Sequence, residues 1–208
     1  MSIYKVPYTY SDFDTKNRPY LEIIIFNTLK SKGSSKIFAI VDSGADQIVV
    51  PFSVGKDIEL ENPEPDEFKK FHSVGERVSF INKYSRIYLV NRTDKKMYGF
   101  DESIAWAHPN PDTQKKMEEI IKDYRNSKEL LIQEKNPRTI DYFKEKIATR
   151  EAELKAINDS FEVITLLGRP FFDNFKYIKF YKENNKDFFD YEIINSKIVD
   201  VREIPEVI

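Results

Sequence analysis

The stretch Lys36-Ile37-Phe38-Ala39-Ile40-Val41-Asp42-Ser43-Gly44-Ala45-Asp46 decides the fold. Its apolar run reads as a buried strand that ends on Asp42, so Ser43-Gly44 must turn the chain directly after a carboxylate. A lone Asp-Ser-Gly would say little, because strand-to-turn junctions favour these residues for conformational reasons alone. A second stretch far along the chain strengthens it. Val163-Ile164-Thr165-Leu166-Leu167-Gly168-Arg169-Pro170-Phe171-Phe172-Asp173 is an apolar strand that ends in Gly168-Arg169 and runs into a short helical signal. Pro170 suits a first helical turn, where its missing N–H is not needed.

Together the two stretches resemble the paired motifs of the retropepsin-like, single-domain aspartic proteases. Those motifs read hydrophobic-hydrophobic-Asp-Ser/Thr-Gly-Ala and then hydrophobic-hydrophobic-Gly-Arg. The resemblance implies a mainly β, closed-barrel-like acid-protease domain in which each protomer supplies half an active site. It assigns catalysis to Asp42, Ser43 and Gly44, with Leu167 and Gly168 as the second motif. Of the six glycines only Gly44 follows Asp-Ser, so no second catalytic motif is present. The implied enzyme is therefore a homodimeric endopeptidase acting on a peptide or protein substrate. The competing class is a catalytically inactive dimer of the same fold that serves as a peptide-binding or dimerisation module.

The chemistry explains the need for two chains. Carboxylates held together across a two-fold axis cannot both ionise, so the pair shares a proton and titrates in two separated steps. The ionised member takes a proton from a water between them while the protonated member polarises the scissile carbonyl. Asp42 plays both roles, one in each protomer. By the same resemblance Ser43 braces the dyad across the two-fold, and Gly44 lets backbone N–H groups approach without a Cβ in the way. The resemblance also pairs Asp46 with Arg169 beside the dimer interface. A partly buried pair of this kind costs about 3–5 kcal/mol to break from one side, so Arg169 is expected to matter for dimerisation before chemistry. A flap that closes over peptide is expected between the motifs. Its best candidate is His72-Ser73-Val74-Gly75-Glu76-Arg77-Val78, with Val74, Gly75 and Glu76 at the tip, although that stretch is poorer in glycine than the family pattern.

At 208 residues the chain exceeds what one such domain requires, so an insertion is expected. Asn110-Pro111-Asp112 and Asn136-Pro137 are both helix-start signals, Asn as N-cap and Pro at the first helical position. Met117, Ile120, Ile121, Tyr124 and Leu131 follow a helical stripe. Ile140, Phe143, Ile147, Leu154 and Ile157 form a near-heptad row interrupted by Arg150. The spacing predicts an α-helical hairpin over residues 110–159, inserted into a β domain made of 1–109 and 160–208.

Elsewhere Tyr20 to Phe26, Gln47 to Val50, Arg77 to Val90, Lys96 to Phe100, Tyr177 to Tyr181 and Phe188 to Ile194 read as strands, and the tail from Lys197 as an edge strand. The charged, proline-containing stretch Phe52 to Phe71 reads as surface loop. Phe171, Phe172 and Phe175 are expected on one helical face. The 14% aromatic content reads as core packing rather than a ligand box. With no cysteine, disulfides and thiolate metal sites are excluded, which fits a reducing compartment. His72 and His108 belong to no ligand motif, so neither a metal nor another cofactor is implied. A formal net charge of -2 argues against a nucleic-acid partner. No apolar run is long enough to cross a bilayer and no leader pattern opens the chain, so a cytoplasmic location without a membrane partner is expected.

Overall fold

The computed structural model describes residues 4–7, 9–11, 14–64, 67, 69–70, 79–184 and 186–204. The chain divides into two compact units, Met1–Asn62 with Ile81–Trp106 and Val163–Ile208, and Pro63–Phe80 with Ala107–Glu162. In chain order the first strands are β1 (Tyr4–Pro7), β2 (Thr9–Ser11), β3 (Asp14–Arg18), β4 (Tyr20–Asn27), β5 (Lys32–Gly33), β6 (Ile37–Val41) and β7 (Ile48–Val50). Helix α1 (Phe52–Asp57) follows, then β8 (Lys69–Lys70), β9 (Ser79–Asn91) and β10 (Lys96–His108). Two long helices come next, α2 (Pro111–Gln133) and α3 (Pro137–Asp159), and after them β11 (Leu166–Leu167) and the short α4 (Arg169–Phe172). The chain closes with β12 (Phe175–Glu183), β13 (Lys186–Ile193), a 3-10 turn at Asn195–Lys197 and β14 (Asp200–Glu203).

The first unit is built on a closed six-strand barrel, in the order β10-β7-β11-β6-β4-β9 and back to β10. Three adjacent pairings carry the site. β11 runs parallel to β6, with Leu166 opposite Ile40 and Leu167 opposite Val41. It runs antiparallel to β7, with Leu166 opposite Val49. β4 runs antiparallel to β6, with Tyr20 opposite Ile40. Closure leaves the ring without a free edge. Period-2 alternation sends Leu21, Ile23 and Ile25 of β4 into the interior, and they meet Ala39, Val41, Ile48, Val50, Ile87 and Leu89 there. A smaller sheet, β1-β13-β12, brings Tyr4, Phe189 and Tyr191 to the same core. Phe171, Phe175 and Tyr191 stack edge to face, with ring centroids 5.2 and 5.4 Å apart, so the aromatic density is core packing.

Two expectations fail in this unit. Residues 52–57 form α1 rather than loop. Its charged Lys56 and Asp57 face solvent, while Val54 and Gly55 are buried. The Phe52 ring stacks on Trp106 at 5.9 Å, and Trp106 Nε1 donates to Phe52 O at 3.2 Å. Tertiary contact overrides the local polar pattern. Phe175 opens strand β12 instead of extending the helix of Phe171 and Phe172, because α4 is only four residues long.

In the second unit both helix-start signals work as expected. Asn110 accepts a hydrogen bond from the Thr113 N–H at 2.9 Å, and Asn136 from the Arg138 N–H at 3.0 Å. The α2 seam buries Ile120 and Ser127, while Ile147 is the buried residue of α3. Arg150, the break in the apolar row, reaches Asp123 Oδ2 at 2.8 Å and Glu153 Oε2 at 2.7 Å, and Lys146 holds the other Asp123 oxygen at 2.7 Å. The polar interruption thus joins the two helices. Among the described residues no helix is long and apolar enough to cross a membrane.

Candidate active site

β6 delivers Asp42 to the barrel rim and stops there. Asp42 is half-buried, while Ser43 and Gly44 are exposed. The Gly44 N–H donates to Asp42 Oδ1 at 2.8 Å, and the Ala45 N–H donates to Asp42 O at 3.2 Å to close the turn. No other donor among the described residues reaches the Asp42 carboxylate, so its second oxygen stays available. A Cβ on Gly44 would lie 3.2 Å from Asp42 Oδ1. The glycine therefore permits the close approach of backbone to carboxylate.

The turn is held from the side by the second motif. β6 and β7 are joined through Asp42-Ser43-Gly44 yet do not pair with each other, because β11 is threaded between them. The Asp42 N–H donates to Leu167 O at 3.1 Å, and the Arg169 N–H donates to Ala45 O at 2.8 Å. Gly168 makes this contact sterically possible, since a Cβ there would lie 2.2 Å from Gln47 O and 2.6 Å from Ala45 O. Leu167 is fully buried and anchors the strand from within. The two stretches singled out in the sequence are thus one local structure.

Arg169 also meets Asp46 side chain to side chain, as the pairing required. Its environment differs from expectation. The Arg169 and Asp46 side chains are 66% and 74% exposed in the single chain, not partly buried. Water screens such a pair, so within one protomer it contributes little to stability. The flap residues Val74, Gly75 and Glu76 lie outside the described residues, as does His72. His108 is buried, with its Nδ1 2.9 Å from Pro109 O.

Three features of the segments that lead to this turn were not singled out in the sequence. Alternation along β6 puts Phe38 and Ile40 on the face that carries Asp42. Leu166 is the register partner of Ile40 across β11. Ile40 is covered, but Phe38 is 57% exposed and Ile164, two residues ahead of Leu166, is 44% exposed. The available signal was their position, each four residues ahead of a motif residue, Asp42 or Gly168. Arg18-Pro19 is the third feature. The Val41 N–H donates to Pro19 O at 2.8 Å, which brings the Arg18-Pro19 step beside the Asp42 turn.

The arrangement offers one carboxylate per chain on a backbone-braced turn, flanked by an exposed ion pair. Comparison with protein-family models, curated proteins and solved structures yields no match, so a functional assignment rests on this geometry and on the residues that build it.

Proposed function

We propose that the chain is an aspartic endopeptidase of retropepsin type that works as a homodimer, with one Asp42 from each protomer forming the catalytic dyad. The observation that carries the reading is the braced turn. Asp42 has one oxygen tied to the Gly44 N–H at 2.8 Å and its backbone tied to Leu167 O at 3.1 Å, so the carboxylate is preorganised with its other oxygen free. A single carboxylate lacks the second acid–base partner that water attack on an amide requires, and a second copy supplies it. No metal or other cofactor enters this chemistry. The exposure of Arg169 and Asp46 fits burial against a second protomer. The cysteine-free composition suits the cytoplasm.

The test is cleavage of a diverse peptide pool by the wild-type chain and by Asp42→Asn, from acidic to neutral pH, on samples shown to be dimers by sedimentation. Cuts made only by the wild type support the reading. A confirmed dimer that cuts nothing refutes it and favours the peptide-binding or dimerisation module.

A further inference from the structure

The six-strand ring closes without β14, which is added to its outside. β10 is much longer than β7, and its first residues carry the ladder to β14 instead. Lys96 stands opposite Glu203, Met97 opposite Arg202, Tyr98 opposite Val201 and Gly99 opposite Asp200. The Val199 N–H donates to Gly99 O at 3.0 Å, and the Ile204 N–H donates to Lys95 O at 2.9 Å. β14 buries little of itself. Val199 and Val201 are half-exposed, and the side chains that touch the barrel are Asp200 and Arg202.

The surface beneath is a second apolar cluster, formed by Tyr88, Val90 and Met97 with Ile24, Phe26 and Ile204 packed against it. The Arg202 guanidinium lies over the rings of Tyr88 and Phe26, 4.7 and 4.9 Å from their centroids. The Tyr88 hydroxyl donates to Asp200 Oδ2 at 2.5 Å, and Arg202 Nε donates to the same oxygen at 2.9 Å. The Tyr88 hydrogen bond holds the Asp200 carboxyl below its ordinary value. The acceptor is therefore ionised at neutral pH, and the bond is of the stronger, charge-assisted kind. Gly99 makes the reach possible. A Cβ there would stand 2.9 Å from Tyr88 Cε1 and 3.3 Å from Asp200 Cβ, so the missing side chain is the gap through which the phenol crosses β10.

We propose that the outer edge of β10, with Tyr88, Phe26 and Gly99, is a docking site for an extended polypeptide segment carrying Asp-x-Arg, and that β14 is its intramolecular occupant. Strand addition supplies backbone hydrogen bonds that any sequence can make along Lys96 to Gly99, and alternate side chains supply the selectivity. The phenol hydroxyl takes the carboxylate and the two rings take the guanidinium. The spacing of two residues puts both groups on one face of a strand. Because the ring closes without β14 and the side chains that grip it are polar, the strap can lift without opening the barrel core. Tethering gives β14 an effective concentration in the millimolar range, so a partner's segment enters only once the strap is weakened. The site is separate from the Asp42 turn, and the inference does not need the peptidase reading.

The probe is a fluorescent peptide of residues 196–204. The protein is the full chain carrying Asp42→Asn, so that any peptidase activity leaves the probe intact. Adding Asp200→Ala and Arg202→Ala removes both strap contacts from partly exposed side chains, and circular dichroism should show the barrel still folded. Amide exchange over residues 199–204 should then rise about tenfold or more, while Ile23, Ile25 and Leu89 keep their protection. Fluorescence anisotropy should show the peptide binding at least about tenfold more tightly to this strap variant than to its parent.

Substitutions in the peptide read the two subsites one at a time. Arg202→Ala should weaken binding about two- to fivefold, and Asp200→Ala about tenfold or more. Tyr88→Phe in the strap variant should match the loss caused by Asp200→Ala in the peptide. Unchanged protection of residues 199–204 in the strap variant overturns the proposal. So does an opened chain that binds no peptide, or one that binds the substituted peptides as tightly as the natural one.

Discussion

Gly168→Ala adds one methyl group at the most crowded backbone contact of the barrel rim. The new Cβ would stand 2.2 Å from Gln47 O, 2.6 Å from Ala45 O and 2.8 Å from Gln47 C, all backbone atoms. Ordinary carbon-to-oxygen approaches begin near about 3.3 Å, so residues 45–47 must retreat by about 1 Å. Backbone conformation adds nothing to the cost, since Gly168 sits at φ -82 and ψ -172, a region open to alanine. Overpacking of this kind costs about 1–3 kcal/mol. The stiffer unfolded chain returns about 0.4–1 kcal/mol. A net loss of about 1–2 kcal/mol corresponds to a fall in Tm of about 2–8 °C for a chain of this size. The retreat also pulls Ala45 away from the Arg169 N–H, and under the proposed peptidase reading a 1 Å displacement at the Asp42 turn costs on the order of a hundredfold in rate. Thermal unfolding by circular dichroism, run beside peptide cleavage, reads both effects. Gly33→Ala is the control, because its nearest neighbours are side-chain atoms of Phe26 at 3.3 Å and Ile24 at 3.5 Å that can give way. A Gly168→Ala protein that melts with the wild type would show that the contact between the two motifs is looser than described.

Other perturbations probe other parts of the molecule. Gly55→Ala drives a Cβ to 2.2 Å from the Trp106 indole, so it should cost about 1–3 kcal/mol and shift the emission of the only tryptophan; an unchanged spectrum and Tm would refute the packing of α1 on Trp106. Hydrogen bonds first from Lys146 and then from Arg150 hold the Asp123 carboxyl below its ordinary value. Its stabilising contribution is therefore present above about pH 3.9 and lost as pH falls through the lowered value; the helical far-ultraviolet signal should weaken over that acid range, and Asp123→Asn should remove that step. Arg169→Ala should leave the Tm of dilute protein nearly unchanged while weakening the proposed dimer in sedimentation, and a large loss of stability would contradict the exposure of the pair.

The sequence made some elements plain and hid others for identifiable reasons. Both helices of the hairpin were readable because Asn110-Pro111 and Asn136-Pro137 act locally, within one turn of the residues they cap. The ends of β6 and β11 were readable because apolar runs stop on Asp42 and Gly168. α1 was hidden because Lys56, Asp57, Glu59 and Glu61 dominate its surroundings, while the residue that organises it, Trp106, lies far away in sequence. Ser127 escaped notice because a small polar residue in a helix seam carries no hydrophobic signal. At the site, Asp42, Ser43, Gly44, Asp46, Gly168 and Arg169 were identified before their geometry was known. The exposure of Phe38 and Ile164 was not legible, because an apolar residue in an apolar run reads as core until exposure shows otherwise. Nor could local pattern reveal that Asp46 and Arg169 face water, since burial depends on what stands opposite.

The threading of β11 between β6 and β7 has a bearing on biosynthesis. Asp42 leaves the ribosome 125 residues before Leu167, the residue whose carbonyl receives its N–H. At elongation rates of about 5–20 residues per second, that gap lasts roughly 6–25 s. Throughout that interval the facing edges of β6 and β7 have no strand between them, and they are the open edges to which another nascent chain or a chaperone would attach. The carboxylate turn is consequently among the last parts of the barrel to be assembled, which gives a newly made chain a built-in delay before that turn takes shape.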